Sequence, residues 1–151
     1  MIEPTSQQTA TRANTDNLGF LLAKASQRWN ALLAEAFAQR GFPEVRPAYG
    51  SLLLPLFEED GLRMGELAAR ARLSKQTLTT LARQMERDGL VRREPDPADG
   101  RAQLVCLTER ARAFEAVAER VLAEMDARAE EHLSPAAARA LRRGLKGVME
   151  L

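Results

Sequence analysis

Apolar side chains recur every three or four residues over most of this chain, which is the period of an α-helix with one buried face. The first such stretch predicts a helix over Leu18–Gln39. Asp16 or Asn17 is placed to cap its start, and Gly41 is placed to end it. We therefore expect a mainly helical protein.

The middle of the chain predicts shorter elements. A second helix starts at Pro47 and ends before Gly61, and Pro55 inside it is expected to kink or shorten it. Residues 62–64 are expected to be extended, and residues 66–72 to form a short helix.

A helix with one polar face is predicted next. Ser74 caps a helix over Lys75–Arg87, and Gly89 suits the left-handed backbone at a helix end. The pattern then changes to a β-hairpin, with strands at 90–94 and 102–107 around a long tip at 95–100 that is dense in turn residues. A short helix, a turn, a second helix and a hairpin together can place a helix in a DNA groove.

Two more helices complete the chain. Thr108 caps a long helix to about residue 131, and Ser134 with Pro135 starts a final one. The last helix carries an apolar stripe formed by Ala138, Leu141, Leu145 and Val148.

Composition narrows the possible functions. One cysteine and one histidine argue against an intrachain disulfide and an all-protein zinc site. Apolar runs such as 52–54 are too short for a membrane span, and the N-terminus lacks the pattern of a secretory signal. Catalytic, metal and phosphate-loop spacings are absent, so we expect no enzyme and no cofactor. A reducing cytoplasm fits this composition.

Charge is unevenly distributed although the net charge is only +1. Residues 63–101 hold nine Lys or Arg and six Asp or Glu, whereas residues 108–132 hold four Arg and seven acids. The excess of positive charge in the middle of the chain favours contact with nucleic acid there.

The Lys75–Arg87 helix has the polar face that such contact needs. At about 100° per residue, its apolar residues fall on one side. The opposite side carries hydroxyls, an amide and cations at Lys75, Gln76, Thr79, Thr80, Arg83 and Arg87. Acids would repel phosphates, and Glu86 lies only beside this face. The first two turns can reach base edges, and Ser74 can approach a phosphate as well as cap the helix.

The hairpin supplies further candidates. Asp99 and Arg101 flank Gly100, so Asp99 can accept backbone N–H groups and orient Arg101. Arg101 is then the candidate for the minor groove, because a narrow A·T groove attracts a guanidinium group. Arg92 and Arg93 are candidates for phosphate contact.

In order and spacing, these motifs resemble the MarR family of winged helix-turn-helix regulators. The segments that carry the resemblance are Gly-Glu-Leu-Ala-Ala-Arg at 65–70, Leu-Ser-Lys-Gln-Thr-Leu-Thr at 73–79, Glu-Arg-Asp-Gly-Leu-Val-Arg-Arg at 86–93 and Asp-Pro-Ala-Asp-Gly-Arg at 96–101. The resemblance implies a mainly α fold with a small β-hairpin wing, flanked by N- and C-terminal dimerisation helices. By position it adds Thr77 to the recognition residues.

The resemblance also implies a division of the chain and its partners. Residues 1–16 would be a flexible arm, 17–45 and 108–151 the dimerisation region, and 46–107 the winged helix-turn-helix domain. A homodimer would bind a pseudo-palindromic operator in double-stranded DNA, often as a repressor, and small phenolic or anionic effectors would release it. The apolar stripes of the terminal helices independently favour pairing, unless these helices pack on each other within one chain.

An effector cleft between the dimer and DNA lobes follows from the same resemblance. The residues proposed to line it are Arg28, Trp29, Phe37, Arg46, Tyr49 and Phe57, with either arginine meeting an anion. Pro55 departs from the expected pattern of the second helix and bears on the shape of this cleft.

Two other functions stay open at this stage. A winged helix can serve protein contact alone, in which case its exposed helix face would be apolar or mixed in charge. A redox-sensing regulator would use Cys106, whose side chain points away from those of Val105 and Leu107 if these point inward. Its thiol pKa would have to be lowered by a cation or by the helix that starts near Thr108.

Overall fold

The computed structural model describes residues 14–151. Its helices are α1 (Leu18–Gln39), α2 (Gly50–Glu58), α3 (Met64–Ala71), α4 (Lys75–Arg87), α5 (Glu109–Leu133) and α6 (Pro135–Val148), with a 3₁₀ turn over Pro47–Tyr49. Its strands are β1 (Leu62–Arg63), β2 (Val91–Asp96) and β3 (Asp99–Leu107). The expected order of elements is confirmed. Most of the predicted arm, 1–13, lies outside the described residues, and Asn14 to Asp16 form a turn ahead of α1.

Side-chain caps start the helices where the sequence predicts them. Asn17 Oδ1 accepts the N–H of Phe20 at 2.9 Å at the start of α1. The hydroxyl oxygens of Ser74, Thr108 and Ser134 accept in the same way, each from the backbone N–H three residues later. Gly41 and Gly89 follow helix ends with positive φ angles of 88° and 75°, which an L side chain rarely adopts.

The three strands form an antiparallel sheet in the order β1-β3-β2. Leu62 pairs with Val105, and Val91 pairs with Leu107, so β3 lies between the short strand before α3 and the strand after α4. The sheet therefore connects both ends of the α3–α4 unit to the start of α5.

The core lies where α1, α2, α4, α5 and the sheet meet. Phe114 of α5 packs edge-on against Phe37 of α1, with ring centroids 4.8 Å apart and planes at 88°. Leu52, Leu78 and Val105 are fully buried in the same cluster. This packing holds α2, α4 and the sheet against the long helix α5.

The hairpin tip is shorter than the sequence predicts. The strands were expected to stop at residues 94 and 102, but β2 continues to Asp96 and β3 starts at Asp99, which leaves only Pro97 and Ala98 in the turn. The reason is Asp96, which is buried and accepts the N–H of Ala98 at 2.9 Å. An Asx turn of this kind closes a hairpin tightly.

Pro55 does not end α2. The helix continues to Glu58, and its last turn is closed by the bond from the Glu59 N–H to the Pro55 carbonyl. Proline removes the bond to the carbonyl of Ser51, and Ser51 is exposed, so water can satisfy that carbonyl. Smaller differences are that α3 starts at Met64 and α5 runs to Leu133.

The two terminal helices are only partly covered. α6 packs on α5 through the buried Ala138, but Leu141 is 50% exposed. The N-terminal end of α1 is also open, with Leu18 69% exposed. None of the helices in the described part of the chain combines the length and apolarity needed to cross a membrane.

Candidate nucleic-acid interface

The apolar side of α4 determines where its polar side points. Leu78, Ala82 and Met85 are buried in the core, at 0%, 1% and 0% exposure. Ser74 accepts the N–H of Thr77 at 3.1 Å, and its hydroxyl also lies 2.9 Å from the Thr77 hydroxyl. The first turn is therefore fixed, and its polar face is directed into solvent.

The threonine hydroxyls on this face already use their protons. Thr79 Oγ1 donates to the carbonyl of Lys75 at 2.7 Å, and Thr80 Oγ1 donates to that of Gln76 at 3.1 Å. Each side chain therefore presents acceptor lone pairs and a methyl group. These suit the amino groups of adenine and cytosine or the thymine methyl better than a phosphate, which needs donors.

The cations of the same face are available for an external partner. Lys75, Arg83 and Arg87 are exposed and form no ion pair within residues 14–151. Glu86, the acid beside the face, lies 3.4 Å from Arg93 Nε. The pairing of that acid inside the protein reduces its repulsion of a phosphate.

The wing-tip prediction is confirmed in its local geometry. Asp99 Oδ1 accepts the backbone N–H of Arg101 at 3.0 Å. The Arg101 side chain is exposed, and no acid pairs with it in the described part of the chain. Asp99 thus orders the backbone that carries Arg101.

Arg92 and Arg93 are both engaged inside the protein. Arg92 Nε lies 2.6 Å from Glu94, and its Nη1 donates to the Leu107 carbonyl at 2.5 Å. The Arg92 guanidinium lowers the pKa of the Glu94 carboxyl. Arg93 projects from the other side of β2 towards Glu86 of α4. Two donors of Arg92 are therefore used inside the protein, and Arg93 Nε and Nη2 are buried without a hydrogen-bond partner among the described residues.

The pairing of Arg63 with the buried Asp96 was missed by sequence reasoning. Asp96 Oδ2 accepts Arg63 Nε at 2.6 Å and lies 2.5 Å from Arg63 Nη2, while its Oδ1 accepts the Ala98 N–H. The Ala98 N–H and then the Arg63 guanidinium lower the pKa of Asp96. The Asp-Pro turn signal marks Asp96 as a turn residue, but nothing in the spacing indicates a partner 33 positions earlier.

Cys106 has the orientation that the sequence predicts but is not an activated thiol. It pairs with Arg92, on the sheet face opposite to the buried Val105 and Leu107, yet it is only 6% exposed. Burial and then the Glu94 carboxylate raise its thiol pKa. A raised pKa lowers the thiolate fraction at neutral pH, which argues against redox sensing.

A largely apolar cavity of about 230 Å³ lies between α1, the 3₁₀ turn, α2 and α5. Phe37, Arg46 and Phe57 line it, as the sequence predicts. Its remaining wall includes Leu33, Leu53 and Leu122. Arg46 contributes the cationic side chain of this wall.

Three of the predicted cavity residues lie elsewhere. Arg28 and Trp29 are one turn or more N-terminal to the part of α1 that reaches the cavity. The Tyr49 hydroxyl donates to Asp88 Oδ2 at 2.5 Å, at the C-terminal end of α4. Burial and that bond raise the pKa of Tyr49 to about 12. Helical periodicity identified Trp29 and Tyr49 as inward-facing but not which part of the interior they reach, and Arg28 is exposed.

A MarR-family model matches residues 51–102, from α2 into β3. The transcriptional regulator TtmR of Methylorubrum extorquens is 41% identical over 61 residues, which make up 40% of this chain and 31% of TtmR. The match thus spans about a third of that relative's length. These relatives are transcriptional regulators, which are not enzymes.

Solved structures resemble nearly the whole described fold. A probable transcriptional regulator from Pseudomonas aeruginosa is 28% identical with a TM-score of 0.76, covering 88% of this chain and 97% of that one. The transcriptional repressor CouR, solved bound to a 23-mer DNA duplex, is 26% identical with a TM-score of 0.74, covering 89% and 94%. The expected fold class, a winged helix-turn-helix flanked by terminal helices, is confirmed.

We predict that iodoacetamide modifies Cys106 in the folded protein at pH 7.5 at least about tenfold more slowly than it modifies free cysteine. The reason is the raised pKa together with burial, since the thiolate is the attacking species. The rate should stay low until the pH is well above the ordinary thiol range. Urea-unfolded protein serves as the control and should react at the free-cysteine rate. Equal rates in the folded and unfolded protein would contradict this environment for Cys106.

Proposed function

We propose that this chain, which is similar to the MarR family over residues 51–102 and in its fold, is a transcriptional repressor that binds operator DNA as a homodimer and releases it when a small effector binds. The observation that carries the proposal is the outward face of α4, where exposed cations, an amide and threonine acceptors lie together. The similarity to CouR, whose structure contains a DNA duplex, supports it.

We assign base reading to the first two turns of α4. Gln76 is exposed there and can pair bidentately with adenine. Thr80 is exposed and contributes an acceptor and a methyl group, whereas Thr79 contributes less because it is half-buried, and Thr77 contributes less because its hydroxyl bonds to Ser74. Lys75 and Arg83 are assigned to phosphates at the edges of the groove, and Ser74, whose hydroxyl donates to that of Thr77, is assigned to holding the first turn.

In the wing we assign DNA contact to Arg101, with Asp99 in support. Arg101 is exposed at the end of the hairpin, which suits insertion into a narrow minor groove. Arg92 bonds to Glu94 and to the Leu107 carbonyl, and Arg93 is only 25% exposed beside Glu86, so we assign both to the shape of the wing rather than to phosphates.

We propose that the terminal helices form the dimer interface. α6 does not cover its own apolar stripe, because Leu141, Leu145 and Val148 are 50%, 38% and 37% exposed. Leu18 and Leu21 at the start of α1 are 69% and 44% exposed. Apolar surface of this kind favours pairing with a second copy, and two-fold symmetry would match two operator half-sites.

The cavity beside α2 is our candidate effector site. Apolar side chains form most of its wall, and Arg46 provides one positive charge. About 230 Å³ is small for a ligand pocket, so a single-ring phenolic or aromatic anion fits better than a larger ligand.

Selection of bound sequences from random duplex DNA at physiological salt tests this function. We expect an enriched inverted repeat, whose symmetry would also show that the dimer is the binding species. Affinity should fall with increasing salt because phosphate contacts release counterions. If a folded, monodisperse protein enriches no sequence and binds DNA with a flat salt response, the function is wrong and protein contact becomes the better hypothesis.

We predict that Gln76→Ala reduces discrimination at one base position in each half-site by about 1–3 kcal/mol. The amide would lose its paired hydrogen bonds to a base while the phosphate contacts remain. A competition assay over single-base operator variants measures this. Unchanged base preference at every position would remove Gln76 from the recognition role.

We predict that Arg101→Ala weakens operator binding and lowers the slope of log affinity against log salt by about one. Arg120→Ala is the matched control, because Arg120 is exposed on α5 away from the wing. A titration series from low to physiological salt measures both variants. Equal effects of the two substitutions would show that Arg101 acts only through net charge.

A further inference from the structure

The tip of the wing is not held by the regular strand ladder. Pairing runs in register from Val91 with Leu107 to Pro95 with Gln103, and then shifts so that Asp96 pairs with Asp99. Residues 100–102 have no partner in this register. Proline also donates no ladder bond at position 95. Backbone pairing alone therefore leaves the segment that carries Arg101 weakly oriented.

Asp96 supplies the missing constraint. Its side chain is 8% exposed, and it is the buried charged residue of the described structure. Oδ1 accepts the Ala98 N–H, which closes the turn. Oδ2 lies within hydrogen-bond distance of Nε and Nη2 of Arg63. One carboxylate thus joins the turn at the tip to a different segment of the chain.

The backbone of Arg63 is held in the sheet, so its side chain can restrain the turn at the wing tip. Arg63 lies in β1, where it pairs with Leu104 of β3, and it is the residue that precedes α3. Since β3 lies between β1 and β2, the Arg63 side chain crosses over β3 to reach Asp96. The ion pair therefore connects the wing tip to the start of the helix-turn-helix unit.

We propose that Arg63 and Asp96 are positioning residues that set the direction of the wing tip relative to α4, and so determine where Arg101 meets DNA. This inference rests on the proposed DNA-binding function. Neither residue needs to touch DNA for the effect, because both act through the backbone of the turn that leads to Arg101.

Asp96→Asn separates positioning from electrostatics. Ala98 and Arg63 bond to different oxygens of Asp96, and asparagine replaces one of these oxygens with an amino group that cannot accept, so the connection is broken with almost no change in volume. Removal of a negative charge near DNA would by itself tighten binding. We expect instead about tenfold weaker binding to the duplex recovered by selection, the loss typical of one groove contact. Glu66→Gln is the matched control, since Glu66 is exposed on α3, and it should leave affinity unchanged or slightly higher.

A double-mutant cycle tests whether the effect passes through Arg101. In the Arg101→Ala background, Asp96→Asn should change affinity by less than about twofold, because the contact that it positions is already absent. Arg63→Gln should behave in the same way, and Arg63→Lys should restore part of the loss. Tighter binding of Asp96→Asn, or equal losses in both backgrounds, would overturn the proposal.

Amide hydrogen exchange in the DNA-free protein gives a second, independent readout. The N–H groups of Ala98 and Arg101 should exchange faster in Arg63→Gln than in the wild type, while amides of α4 and α5 keep their protection. Arg63 is 43% exposed, so this variant should fold even if Asp96→Asn does not. Unchanged exchange at the tip would disprove the connection. Failure of the wild-type protein to bind any duplex would instead disprove the proposed function, and the exchange result would still decide whether the ion pair orders the tip.

Discussion

One side of α4 is buried through Leu78, Ala82 and Met85, and the orientation that this burial imposes sets the direction of the polar face on which the proposed DNA contact depends. A helix whose apolar face is fully covered cannot rotate without exposing that face to water. Its polar face is therefore directed outward before any partner arrives. Such preorganisation reduces the ordering that binding would otherwise have to offset.

Internal pairing decides which cations remain for an external partner. Arg63, Arg92 and Arg93 each contact an acid of the same chain, whereas Arg83 and Arg101 do not within residues 14–151. The paired arginines shape the wing, and Arg83 and Arg101 are exposed on α4 and on the hairpin. Some arginines in this segment thus serve the structure and others remain available for a partner. A count of basic residues cannot distinguish the two groups.

Burial also changes the chemistry of two side chains that sequence reasoning treated as functional candidates. Cys106 is covered although it lies on the outer face of the sheet, and the nearby Glu94 further disfavours its thiolate. Tyr49 is an inward-facing aromatic, as expected, but its hydroxyl bonds to Asp88 at the end of α4 instead of facing the cavity. Both outcomes depend on segments distant in sequence.

Local rules were enough to predict the helices, their caps and the outward face of α4. Ser74, Thr108 and Gly89 act within a few residues of themselves, so short spacing contains the necessary information. The length of the wing tip, the pairing of Arg63 with Asp96 and the residues that line the cavity required the tertiary structure. Each of these depends on which distant segments meet: β1 beside β3, or α1 beside α5. The sequence by itself therefore determined the elements and the candidate surface. Only the packing of those elements decided which side chains on that surface remain unpaired and available to a partner.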